Sequence, residues 1–342
     1  MFLGSGDSEA MILLRIASLT RGLGYAFRSA VSRSRLLRQL RNLWKFPGLS
    51  LDPSVNLVVA GNLEFGPQSA VGEASNLLVP AGASLAIGAG CYVGRYVELG
   101  PSGRISIGDQ TSIQDRSILV GDVQLGRYCV LSLNVLLTSG RHYFDRWPHL
   151  LIRDQDERVA QSADLSDQHS RPIVVEEDCW LGMNSVVMPG IKIGRGCVIG
   201  SNAVVTRDLP PYSVAVGSPA RVVRRRLEFD PPDRVEWNRP EHIPYFYSGF
   251  ELAALERNRN ALLEGHLALG NFSLWLSGKS ASVMKMRVRS GTENSALIER
   301  PGIGVRVAKE WQEIQFPRGD ESTEMSFAVS GGSVVVSHAW IV

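Results

Sequence analysis

The segment from Ile107 to Leu137, IGDQTSIQDRSILVGDVQLGRYCVLSLNVLL, decides the fold. Every sixth residue is aliphatic: Ile107, Ile113, Leu119, Leu125, Leu131 and Leu137. The same phase returns in Val175, Leu181, Val187, Ile193, Ile199 and Val205, and an earlier run gives Ile87, Val93, Leu99 and Ile105. A period of six fits neither a helix, which needs 3.6, nor simple strand alternation, which needs 2. It fits a short strand plus a turn, with one aliphatic side chain inside. Three hexads then close one coil, and stacked coils bury a continuous aliphatic column.

Two companion positions support this reading. Glycine often follows the aliphatic, as in IGDQ, LGRY, LGMN and IGRG, and suits a tight corner where a side chain or a negative φ is costly. Four residues after the aliphatic stands a small residue: Cys91, Thr111, Ser117, Cys129, Cys179, Ser185, Cys197 or Ala203. All four cysteines fall in this class, which makes them small interior residues, neither nucleophiles nor ligands. No CxxC or Cys/His cluster suggests zinc or a disulfide framework, and a reducing compartment is expected.

The period breaks at LTSGRHYFDRWP, residues 137–148, and resumes only after Pro172. Long insertions in compact domains are most often functional or disordered. This one, read as a loop over 141–172, carries His142, His149 and His169. His149 and His169 read as incidental surface histidines. His142 stands at the rim of a coil, where a rigid scaffold can fix it.

From there the sequence resembles the hexapeptide-repeat acyltransferases, in particular the sugar O-acetyltransferase branch with its maltose, galactoside and nodulation-factor enzymes. The resemblance rests on the hexads, on SGRHYFD, and on RPIVVEEDCWLGMNSVVMPGIKIGRGCVIGSNAVVTRDLPPYSVAVGSPARVVRRR. It covers roughly residues 50–225. Many members have a shorter Ser/Thr-x-His in place of SGRH.

The resemblance implies a left-handed parallel β-helix and transfer of an acetyl group from acetyl-CoA to a sugar or glycan hydroxyl. His142 would be the base, and no metal would be needed. A hydroxyl is a poor nucleophile at neutral pH; imidazole, with a reference pKa of about 6.5, suits removal of its proton. Asp145 or a backbone carbonyl could orient the other ring nitrogen. By the same match Trp180, Ser185 and Ala203 flank a pantetheine groove, and Arg207, Arg221 and Arg224 meet the phosphates of coenzyme A. The bland reading of RVVRRR is a charged cap on the solenoid end. The resemblance also implies a homotrimer with active sites between solenoids.

Other functions fit parts of the pattern. N-acyl transfer to an amino sugar or sugar nucleotide would use the same base and groove. A zinc hydratase of the γ-carbonic anhydrase kind shares the fold, but its pair of histidines five apart is missing. A non-catalytic scaffold stays open.

The flanks differ from the repeat. Residues 10–51 hold eight basic residues and no acidic ones, with Ile12, Ile16, Leu19, Leu23 and Phe27 at helical spacing. That predicts a basic amphipathic helical segment over 1–50, either a peripheral membrane element or a cap on the solenoid. Residues 51–226 form the repeat domain and 227–244 a Pro-rich linker. Residues 245–342 read as a helix, GFELAALERNRNALLEGHLAL, followed by a β-rich, sandwich-like domain. The whole is mainly β. A formal net charge of +2 does not call for nucleic acid. No long apolar run or cleavable leader is read, so a cytoplasmic location is expected, with possible contact at the inner membrane face.

Overall fold

The computed structural model describes residues 48–161, 171–251, 264–277, 283–317 and 324–342. The basic segment up to residue 47, His169 and the middle of the expected helix over 249–269 lie outside the described residues. Two compact units emerge. One takes residues up to Lys192 plus Ile199–Arg207 and Val216–Ala220; the other takes Ile193–Val198, Asp208–Ala215 and Arg221–Val342. The expected boundary at residue 226 therefore differs from the division seen: parts of the last coils group with the C-terminal unit.

The first unit is a parallel β-helix of the left-handed hexapeptide type. One sheet stacks Ser50–Leu51, Ala70–Val71, Tyr92–Val93, Ser112–Ile113, Val130–Leu131 and Trp180–Leu181, all parallel. A second pairs Leu99 with Leu119, Leu119 with Leu137, Leu137 with Val187 and Val187 with Val205. A third aligns Ile87, Ile107, Leu125 and Val175. From Ile87 onward these in-register aliphatics are the hexad residues, and each is buried. Coil closure thus places one aliphatic per face in a common column.

The small inward residues do more than fill space. Ser69, Ser75, Thr111 and Ser117 donate their hydroxyls to the carbonyls of Gly88, Gly94, Gly126 and Ser132. The same oxygens accept the amides of Cys91, Val97, Cys129 and Val135. Each hydroxyl thereby satisfies two backbone groups that a turn would leave unpaired in the interior. Cys91 and Cys129 supply the carbonyl contact alone, with Sγ 3.2 Å from the carbonyls of Gly108 and Glu176. Burial pushes the Cys91 thiol above its ordinary pKa, which fits an inert thiol. Ser185 breaks the series: its buried Oγ has no partner among the described residues.

The hexad glycines are required for a different reason than the corner argument gave. Gly66, Gly72, Gly108 and Gly126 have no left-handed φ; a Cβ on any of them would lie 2.3–2.8 Å from backbone of the next coil. The left-handed residue comes two positions later, as Gln68, Ala74, Gln110 and Tyr128, with φ of 53–60°. The close stacking of coils, not backbone conformation, excludes a side chain. Gly108→Ala is accordingly expected to destabilise the protein by about 1–3 kcal/mol. Ala74→Gly, which relieves a left-handed alanine, should stay within about 1 kcal/mol of neutral. Thermal melts separate the two; equal losses would reject this division of roles.

The C-terminal unit is built on a nine-stranded antiparallel sheet. Strand Val283–Ser290 alternates buried and partly exposed residues throughout, as MKMRVRS alternates apolar and basic. Phe246, Phe250, Phe272, Phe316, Phe327, Met284 and Met286 fill its core. Two expectations fail here. Within the expected linker, Arg234–Glu236 is a strand pairing with Trp340, Ala339 and His338. The ends of the expected helix are strands, Ser248–Glu251 and His266–Trp275, paired to each other. Leu and Ala favour helices alone, but the sheet buries Leu267 and Ala268 beside Val335 and Val334. Arg195 is buried in this unit, and its guanidinium donates to the carbonyls of Phe246 (2.8 Å) and Phe250 (2.6 Å). Among the described residues, no helix is long and apolar enough to cross a membrane.

Candidate functional site

Leu137 is fully buried and in register with Leu119 and Val187, so the chain reaches the break in a fixed position. Ser139 prolongs that order: its amide donates to Val120 O, and its Oγ accepts the amide of Asp122 at 2.6 Å. The insertion leaves at Gly140 and returns at Arg171, whose amide donates to Ser139 O at 3.3 Å.

The insertion is not a plain loop. Ile152–Ala160 forms a helix, here α1, that packs back on the segment after His142. Gln155 and Val159, one turn apart, are its buried residues. Gln155 accepts the amide of Trp147 and donates to Leu150 O. Arg158 lies over the Trp147 ring at 4.5 Å. That phase turns Asp156 toward the start of the insertion. Its Oδ2 is 2.7 Å from His142 Nδ1, and its Oδ1 accepts the amide of Tyr143 at 2.8 Å.

Asp156 therefore takes the place proposed for Asp145. Asp145 is exposed and makes no hydrogen bond or ion pair among the described residues, because α1 fills the space beside the imidazole with a different carboxylate. The Tyr143 amide, and after it the His142 ring, hold the Asp156 carboxyl below the usual carboxylate range. An ionised carboxylate only accepts, so Nδ1 is the donor to Asp156, and in the neutral form of the ring the lone pair then lies on Nε2. The His142 side chain is 83% exposed, which leaves Nε2 open to an incoming molecule. His149 is exposed.

The other expected site residues are placed one by one. Trp180 is 53% exposed and donates its indole N–H to Ser132 Oγ at 3.1 Å, one coil away. An outward aromatic held by a polar anchor suits a groove wall. Ser185 and Ala203 are fully buried, so only their backbone could face a surface groove. Arg207 is exposed in the first unit. Arg221 and Arg224 are exposed on strand Arg221–Arg225 of the second. Among the described residues no three His, Cys, Asp or Glu side chains gather as a metal site.

Sequence reasoning missed Asp156. The only available signal was the stretch from Leu150 to Gln161, free of Gly and Pro, with Gln155 and Val159 spaced one turn apart. Choosing Asp156 over Asp154 required the phase of that helix.

Comparison with known proteins gives one family model and three relatives. The model of the bacterial transferase hexapeptide family (six repeats) matches residues 172–207. WcaF of Escherichia coli, whose name assigns it to colanic acid biosynthesis as an acetyltransferase, is 30% identical over 151 residues, 41% of this chain and 71% of WcaF. A chloramphenicol acetyltransferase of Escherichia coli is 41% identical over 114 residues, 32% of this chain and 53% of that one. One from Klebsiella aerogenes is 43% identical over 73 residues, 21% and 35% of the respective chains. The chain spans about a third to a half of the length of the first relatives it matches.

Proposed function

Because the chain belongs to the hexapeptide-repeat acetyltransferases, we propose that it moves an acetyl group from acetyl-CoA to a hydroxyl of a sugar or polysaccharide, with His142 as general base. The observation that carries this reading is the His142–Asp156 pair at the rim of the solenoid, with Nδ1 engaged and Nε2 open. Similarity to WcaF favours a polysaccharide or its precursor as acceptor.

Acetyl-CoA supplies an acyl carbon activated as a thioester. His142 Nε2 takes the acceptor's hydroxyl proton as the oxygen bonds to that carbon. The imidazolium so formed is held by Asp156, and it returns the proton to the departing sulfur. A proton-transfer role of this kind contributes about 10² to 10⁴ in rate. No covalent enzyme intermediate is needed, in keeping with cysteines that are all buried. Backbone amides near the rim would face the tetrahedral oxygen. Trp180 would line the pantetheine arm and Arg207 a phosphate, each as an exposed aromatic or cation of the type the molecule requires. Ser185 and Ala203 would contribute backbone only. The homotrimer belongs to the same reading.

The test is mass spectrometry of cell-surface glycan from a strain lacking the gene. An acetyl increment present in the parent and absent in the deletion is expected. Mild alkali should remove it, as it cleaves esters and spares amides. An alkali-stable increment would replace O-transfer with N-transfer; unchanged glycan would overturn the acceptor class.

A further inference from the structure

The outer face of the C-terminal sheet carries a pattern that acetyl transfer does not use. Register sets its side chains in two cross-strand rows. One runs Gln315, Lys285, Trp340, Arg234; the next runs Glu313, Arg287, His338, Glu236. Arg289 continues the same strand beyond them, and Trp311 packs against both Arg287 (5.0 Å) and Arg289 (5.2 Å). Arg234 lies over Trp340 at 5.2 Å. Both indoles are partly exposed.

The charge on this face is unbalanced. Glu236 is already committed, with Oε1 2.8 Å from Arg234 Nε and Oε2 2.6 Å from Arg239 Nε. Lys285 and Arg287 make no ion pair among the described residues, although Glu313 stands opposite Arg287. His338 senses the field: burial first, then Arg234 and Arg287, lower its pKa, opposed by Glu236. Stacking against the indoles holds the guanidiniums in place, which cuts the ordering cost of binding. From Lys285 to Arg289 the strand advances about 13 Å, so the cations and rings line a track rather than a point.

We propose that this face binds an anionic, carboxylate-bearing polysaccharide, the guanidiniums taking carboxylates and the two indoles taking sugar rings. The proposal rests on the reading of the solenoid as a transferase with a glycan acceptor; the face would hold the polymer whose hydroxyls are acetylated. A flat row of fixed cations beside aromatic rings suits the alternating carboxylate and apolar surfaces of such a chain. A net charge of +2 lacks the strongly basic footprint that nucleic-acid binding calls for.

The experiment is affinity electrophoresis of the full chain through gels containing polygalacturonate, dextran or single-stranded DNA, with a short sugar acetylation assay run in parallel. Polygalacturonate should retard the protein and salt should relieve the retardation; dextran should not retard it. The double variant Arg287→Gln/Arg289→Gln, checked for folding by circular dichroism, should bind about tenfold more weakly. Trp311→Ala should weaken retention at a salt concentration that leaves the charges unaltered. Unchanged retention of the double variant overturns the proposal, as does equal retention by dextran or tighter binding to DNA. Retention that depends on Arg287 and Arg289, with no acetylation of any acceptor, keeps the face and rejects the transferase reading. Acetylation without retention does the reverse.

Discussion

Replacing His142 with alanine is expected to lower kcat for acetyl transfer by about 10² to 10⁴ while acetyl-CoA still binds. The loss falls on kcat because the imidazole acts on a proton that moves only as the new bond forms. His142 is 83% exposed and holds no core contact, so the folded protein should melt unchanged. Asp156→Ala should lower kcat by less, since it removes only the group that fixes the ring and steadies its charge. Asp145→Ala should leave kcat as it is. Stopped assays with purified protein and a soluble acceptor give all three values, and calorimetry with coenzyme A gives donor affinity. A His142→Ala enzyme with near-normal turnover would end the mechanism; a larger loss at Asp145 than at Asp156 would end the assignment of the orienting residue.

Acid is expected to unfold the C-terminal unit through His266. Its ring is 3% exposed and stacks edge-on against Phe246 at 4.5 Å. Burial, and then the Arg195 charge, lower its pKa to about 3. Unfolding returns the ring to about 6.5. Between those values the unfolded chain binds a proton that the folded one does not, so stability rises with pH there and is lost as pH falls. The full effect, reached only near pH 3, is roughly 5 kcal/mol. His242 and His338, also lowered mainly by burial, add smaller losses of the same sign. Denaturant melts from pH 7 to pH 4 of the wild type and His266→Phe check this. The variant should show a distinctly shallower acid loss; parallel curves would show that His266 is not the group responsible.

The solenoid was legible because its signal is local and repeated. Each hexad states its buried residue, and registers such as Leu119 to Leu137 follow once coils stack. The glycine explanation was only half legible. Crowding between coils is a contact across many residues, so the sequence suggested a turn effect where stacking was the cause. His142 stood out by position. Asp156 did not, because its approach depends on α1 folding back across the insertion. In the C-terminal unit, strict alternation revealed Val283–Ser290. Arg234–Glu236 was hidden by the prolines beside it, Pro231 and Pro232, and His266–Trp275 by a Leu/Ala-rich start whose partners are distant in sequence.

The join between Ser139 and Arg171 has a consequence for how the insertion can change in length. A backbone hydrogen bond closes the insertion at its neck, and the Gly190 amide donates to Arg171 O just beyond. The coil therefore meets the same two ends whatever lies between them. Doubling the length of a flexible loop costs only about 0.6 kcal/mol in closure entropy. Length changes in this appendage that spare the His142–Asp156 pair are absorbed outside the coils and leave their aliphatic register intact.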